Sequence, residues 1–329
     1  MDALAWLLDS DPAIRWQVMR DLTDATDELI AGERSRIGDE GFGARLLALQ
    51  GEDGQWRSGV PTFSSERAES CWRSLQPARK GTLFPEWTST TWSLSLLREF
   101  GIDPSDPRAR RAVRLIRERC RWEHDGEPYF AGEVEACING RAVANGAYFG
   151  EDVAGIVDRL LGEQMRDGGW NCERENGSTR SSFQSTIEVL EGLLVFERAT
   201  GRSDVRAARL RSHEYLLERR LFRRLTTGEP IRDRKAGDER FERFAFPAYW
   251  HYDVLRGLDY LRAAGAEPDA RMREAVDLVR SKRDGDGRWR LDRRYPGRSY
   301  FAIDADEGQP SRWTTLRASR VLERFDTGT

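Results

Sequence analysis

Three residues with the chemistry of metal ligands fall where helices are expected to begin. Cys137 opens the segment "EVEACING", Cys172 follows the glycine turn of "RDGGWNCERENG", and His251 lies in "PAYWHYD". Thiolate and imidazole are the preferred ligands of zinc, and three protein ligands with an open fourth position is the catalytic arrangement. A helix N-terminus also favours thiolate over thiol. Asp253, two residues beyond His251, could orient the imidazole or complete the ligand set. The intervals, 35 and 79 residues, match no local zinc motif, so only tertiary structure could bring the three together. The plainer reading is that the cysteines are small buried apolar residues and that His251 packs between Trp250 and Tyr252. Cys71, in a polar loop, and Cys120, on a charged helix, carry no role.

The elements that must position these residues are helical. Apolar residues recur with helical period in segments that fall into six pairs: 2–8 with 12–22, 27–50 with 87–100, 107–121 with 136–149, 152–165 with 181–200, 204–221 with 247–264, and 269–282 with 311–325. First members such as "ARRAVRLIRERC" are charged, as outer helices should be. Second members such as "SSFQSTIEVLEGLL" open with small polar and aromatic residues and then turn apolar. The expected architecture is an all-α, closed ring of six helical hairpins spanning 1–329 as a single domain, with an open solenoid as the alternative. The inner helices would start on one shared rim, where unpaired backbone N–H groups collect. Trp56, Trp170 and Trp289, spaced by 114 and 119 residues, each follow an acidic and glycine-rich turn at the end of an outer helix, where a glycine stop and a packed aromatic read as a structural staple.

An apolar helix, a Gln or its substitute, an acidic-glycine turn and a Trp together resemble the QW repeat of squalene and other terpenoid cyclases. The α/α toroid of that family is shared by protein prenyltransferase β subunits, and the length here matches a single toroid. The resemblance implies a central cavity that holds a polyprenyl chain or a cyclising terpene. Class II cyclases use a D-x-D-D motif as the proton donor, and "IDADEG" resembles it at Asp304, Asp306 and Glu307, in a loop ahead of Gly308-Gln309-Pro310. A solvated acidic loop is the competing reading. Prenyltransferases hold zinc with a carboxylate and a cysteine two residues apart plus a later histidine; Glu135-x-Cys137 and His251 match that outline, with Glu in place of Asp. Lanthionine cyclases, another toroid family, use two cysteines and a histidine, which Cys137, Cys172 and His251 match without the adjacent Cys-His pair. Aromatic residues at the inner rim, Trp87, Trp92, Phe183, Tyr249, Trp250, Tyr252 and Trp313, would line a prenyl groove or stabilise a carbocation, unless they are core.

Composition narrows the classes. Lys and Arg total 53 against 56 Asp and Glu, a net charge of −3, which gives no reason to propose nucleic acid. No apolar run reaches the ~18 residues of a membrane span, although peripheral contact stays open. The start, "MDALAWLLDSDP", lacks the basic region of a signal peptide, and four cysteines in 329 residues do not make a disulfide framework, so the cytoplasm is expected. "GDEGFG" and "GDGDG" are turns and not phosphate loops. The expectation is therefore an enzyme acting on an isoprenoid or similarly apolar small molecule, with Asp304, Asp306 or Asp253 as acid and zinc as cofactor. The alternative is a binding or scaffold protein that keeps the toroid without catalysis.

Overall fold

A computed structural model describes residues 2–52, 54–56, 87–122, 126–233 and 239–326. Cys71 lies outside the described residues. The first hairpin joins α1 (Ala3–Leu8) to α2 (Pro12–Leu22). Pro12 sits in the first turn of α2, and the Asp11 carboxylate caps it by accepting from the Ala13 N–H. The second outer segment breaks into α3 (Asp27–Ser35) and α4 (Gly41–Leu47), followed by α5 (Thr90–Phe100). The remaining pairs are α6 (Pro107–Arg119) with α7 (Ala136–Phe149), α8 (Ala154–Glu163) with α9 (Phe183–Thr200), α10 (Ser203–Glu218) with α11 (Val254–Ala263), and α12 (Arg273–Ser281) with α13 (Arg312–Phe325). Apart from the two-residue strands β1 (Arg232–Asp233) and β2 (Glu239–Arg240), the regular structure among the described residues is helical. No helix among them is long and apolar enough to cross a membrane.

The hairpins close. Each inner helix packs on the next in the order α2, α5, α7, α9, α11, α13 and back to α2. At the seam, Arg320 of α13 reaches Gln17 and Asp21 of α2, and the Arg312 guanidinium donates to the carbonyls of Trp6 and Asp9. The fold is thus the expected all-α toroid of six helical hairpins and not an open solenoid.

One expected helix starts late. The segment from 247 begins as irregular chain, and α11 starts only at Val254. Pro247 pushes its predecessor out of the helical region, Tyr249 takes a left-handed backbone (φ 49°), and Asp253 supplies the N-cap. The resulting loop, 246–253, dips across the ring mouth and becomes part of the site.

Three turns share one hydrogen-bond scheme. The indole N–H of Trp56, Trp170 and Trp289 donates to the carbonyl ten residues earlier, at Leu46, Leu160 and Val279, near the end of the outer helix. Their backbone N–H groups donate to the hydroxyls of Thr90, Thr186 and Thr315 on the paired inner helices. Each Trp therefore ties an outer helix to its inner partner. A glutamine adds the link to the next unit: the side-chain amide of Gln50 donates to the carbonyls of Gly54 and Ala112, and that of Gln164 to those of Gly168 and Ala208. The linking glutamine lies six positions before the Trp, and Arg283 occupies that position in the third copy. Gly168 is required there: its φ is +95°, and a Cβ would stand 2.6 Å from the Arg211 carbonyl oxygen.

Candidate functional site

The sulfurs of Cys137 and Cys172 lie 2.6 Å apart. The Trp170 staple fixes the chain two residues before Cys172, which opens a short 3-10 turn (Cys172–Arg174) capped by Asn171. Cys137 is the second residue of α7, so its backbone N–H is one of the helix's unpaired donors. That N–H points at the Cys172 sulfur, 3.3 Å away, and the Ser185 hydroxyl approaches the same sulfur at 3.3 Å. The Glu135 carboxylate is 3.5 Å from the Cys137 sulfur. The hydrogen bond between the two sulfurs splits their acidity. It holds the Cys137 thiol well above the usual cysteine value, with burial acting in the same direction. It draws Cys172 below that value, with Ser185 and the Cys137 N–H assisting against burial.

Glu135, Cys137 and Cys172 could hold a metal ion, since their ligand atoms all lie within 4.8 Å of one another. His251 is not among them, which corrects the expected ligand set. Its ring stacks flat on Tyr295 (centroids 3.4 Å apart, 7° between planes), one ring nitrogen faces the Ala248 carbonyl, and the other accepts from the Trp250 indole. The loop that delays α11 turns the imidazole toward this aromatic stack. Two thiolates on one tetrahedral zinc stand ~3.8 Å apart, given Zn–S bonds of ~2.3 Å. The sulfurs here are closer than that and would have to part by about 1 Å to share the ion.

Asp253 does not orient that imidazole through either ring nitrogen described above. It is buried, its two oxygens accept from the N–H groups of Arg256 and Ala245, and it serves as the cap of α11. Burial pushes its carboxyl up to about 6 against the pull of those hydrogen bonds.

Among the described residues, side chains fill most of the centre of the ring. Its cavity is about 40 Å³, bounded by Trp92, Phe246 and Tyr249 and by the charged heads of Arg141, Glu191, Arg256 and Arg317. That volume admits a water or two, not a polyprenyl chain. Arg256 binds Glu188 and Glu191, each at 2.7 Å, and Arg141 pairs with the same two acids. Further out, Arg317 meets Glu99 at 2.7 Å and Arg320 meets Asp259. Burial alone would raise the Glu191 carboxyl, but Arg256, Arg141 and Arg98 outweigh it and hold it down to about 2.

Over this network sits an aromatic cap. Trp87 stacks on Tyr249 (3.8 Å, 9°) and meets Trp92 and Trp250 edge-on. Four of the expected rim aromatics therefore do converge. Phe183, Tyr252 and Trp313 do not: Phe183 and Tyr252 pack with Phe241 in the buried core, and Trp313 is stacked under Phe246 with its indole N–H on the Ile303 carbonyl. Their rings satisfy helix packing.

The acidic string "IDADEG" splits. Asp306 is exposed (86% of its side chain) and pairs with Arg294, which removes it as a cavity acid, and Glu307 pairs with Arg243. Asp304 turns inward. It accepts from the Ser311 hydroxyl and the Arg312 N–H, and burial pushes its carboxyl up to about 6 despite them. It lies on the wall of a cleft of about 360 Å³ between the first hairpin and the 302–312 segment, shared with Trp6, Asp11, Ile14, Phe42 and Arg312.

Sequence reasoning missed the ionic filling and the role of Ser185. The signal for the first was present, as Arg141, Glu188, Glu191 and Arg256 interrupt otherwise apolar inner helices. No sequence signal marks Ser185, whose part depends on where the Cys172 turn lands.

No family model matches the sequence, and no curated protein matches it. Among solved structures, the chain is similar to a protein from Actinoplanes, with 18% identity over 97% of this chain and 91% of that one and a TM-score of 0.43. It is also similar to the type II terpene cyclase MstE from Scytonema in its apo form, with 15% identity over 88% of this chain and 97% of that one and a TM-score of 0.35. The closed ring of hairpins by itself makes the chain an α/α toroid.

Proposed function

We propose that the protein is a toroid enzyme that uses Asp304 as a general acid on an isoprenoid or similarly apolar substrate. The observation that carries this reading is the placement of a half-buried carboxyl, pushed up to about 6, on the wall of the cleft between the first hairpin and the 302–312 segment. A volume of about 360 Å³ falls in the range of small-molecule sites, and Trp6, Ile14 and Phe42 supply apolar walls. Raised to about 6, the Asp304 carboxyl keeps part of its proton near neutral pH, as a donor to an alkene or an epoxide oxygen must. The Ser311 hydroxyl and the Arg312 N–H would then stabilise the carboxylate left behind. On this reading the substrate binds at the rim, because paired arginine and glutamate side chains occupy the ring centre.

The test is turnover of polyprenyl probes, squalene and geranylgeranyl diphosphate, followed by mass spectrometry of the products. Asp304→Asn should lower turnover by ~10²–10⁴-fold, the usual worth of a positioned acid, while Asp306→Asn should leave it unchanged. Because the acid must be protonated, wild-type activity should fall as pH rises through about 6. Equal rates in wild type and Asp304→Asn would overturn the reading. Binding of the probes without turnover would favour a ligand-binding toroid instead.

The cluster of Glu135, Cys137 and Cys172 favours a second reading, with zinc as the cofactor. Protein purified without chelator should then carry near-stoichiometric zinc that Cys172→Ala loses, and metal-free wild type would end this reading.

A further inference from the structure

We propose that Cys137 and Cys172 form a thiol–disulfide exchange site that reduces a small-molecule disulfide by closing into an intramolecular disulfide. The inference depends on neither the Asp304 reading nor the zinc reading. Its basis is the placement of two free thiols from separate hairpins, 35 residues apart in the chain, with sulfurs 2.6 Å apart. This is nearer than two ligands of one zinc stand (~3.8 Å) and approaches the ~2.05 Å of a sulfur–sulfur bond. The first turn of α7 and the Trp170 staple hold the two backbones in place, so bond formation needs little rearrangement.

The surroundings divide the roles. Cys172 lines a small rim depression with Asn171, Arg174 and Glu175, and its sulfur is the one assigned to the incoming disulfide. The Cys137 N–H and the Ser185 hydroxyl, each 3.3 Å from that sulfur, stabilise it as thiolate. The Cys172 thiolate attacks one sulfur of the substrate R–S–S–R, forming a protein mixed disulfide and expelling R–S⁻. Cys137 then gives its proton to the expelled R–S⁻ and attacks the Cys172 sulfur. The second R–S⁻ leaves and takes up a proton. Two protein thiols are oxidised, one disulfide is reduced to two thiols, and the balance needs no further reagent. Of the other cysteines, Cys120 is fully buried.

The test uses the full chain in a Cys71→Ser background, incubated with oxidised glutathione, with released thiol measured and the adducts mapped by mass spectrometry of digests. The expected wild-type result is a Cys137–Cys172 crosslink, with loss of two hydrogens from the chain and release of two glutathione thiols. Cys137→Ser should stop halfway, keeping glutathione on Cys172 and releasing one thiol, and Cys172→Ser should lose capture at this site. Mapping the wild-type crosslink needs no variant to fold. A folded wild type that forms no crosslink in excess oxidised glutathione would overturn the proposal. So would protein that arrives with one zinc per chain and crosslinks only after the metal is stripped.

Discussion

The Trp170→Ala protein is expected to lose about 3–5 kcal/mol of stability, the range for truncating a buried large aromatic. Trp170 is fully buried, so the change opens a cavity between α8 and α9 that packed neighbours cannot fill. It also removes the indole donor from the Leu160 carbonyl, a bond of 2.7 Å at the point where the outer helix ends. Trp170→Phe should cost less, because the ring volume is largely kept and only that hydrogen bond is lost. Equilibrium denaturation checks both, and Trp56→Ala and Trp289→Ala should behave alike, since their indole and backbone bonds repeat the same scheme. An alanine variant with wild-type stability would show that these residues serve a ligand instead of the ring.

Arg256→Met is the second change with a large expected effect, again about 3–5 kcal/mol, for a different reason. Arg256 neutralises Glu188 and Glu191 at the ring centre and donates to the Tyr249 and His251 carbonyls of the capping loop. Without it, the buried Glu188 and the half-buried Glu191 carboxylates are left with Arg141 as their ion-pair partner. Adding Glu188→Gln and Glu191→Gln should recover part of the loss by removing the uncompensated charge. The pH dependence follows with a definite sign. The Glu191 carboxyl is held down to about 2 in the folded protein, below its ordinary value of 4.5. Its contribution is therefore fully present above pH 4.5 and is lost as pH falls toward 2. The stability gap between wild type and Arg256→Met should shrink over that interval. A gap constant from pH 7 to 3 would show that Arg256 acts by packing and not by charge.

Much of the ring was legible before any coordinates, because the information is local. Helical period, proline at a first turn, an Asp or Ser cap and a glycine stop act within a few residues, and they place all six pairs. The first hairpin appears with its expected limits, 2–8 and 12–22 matching Ala3–Leu8 and Pro12–Leu22. The Trp turns were legible for the same reason, since staple and stop lie on one short stretch. The glutamine link between neighbouring units was not, as its partner at Ala112 or Ala208 is on the next outer helix.

The site divides along the same line. Residue type alone singled out Cys137, Cys172 and Asp304, and spacing could not say what each would meet. The closing of α7 against α9 sets the two sulfurs together, while the loop before α11 takes His251 away to Tyr295. Within a single six-residue string, Asp304 turns into a cleft and Asp306 into solvent, a choice made by the Ser311 and Arg312 contacts of α13. The centre of the toroid shows the same limit most plainly. Sequence determines that six amphipathic hairpins must bury their inner faces, because exposed apolar stripes cost too much to leave in water. Whether the enclosed space stays open is decided only when all the inner helices meet. Arginines and glutamates that would each be solvated on a lone helix then find one another across the ring, and their pairing fills the space an apolar chain would need.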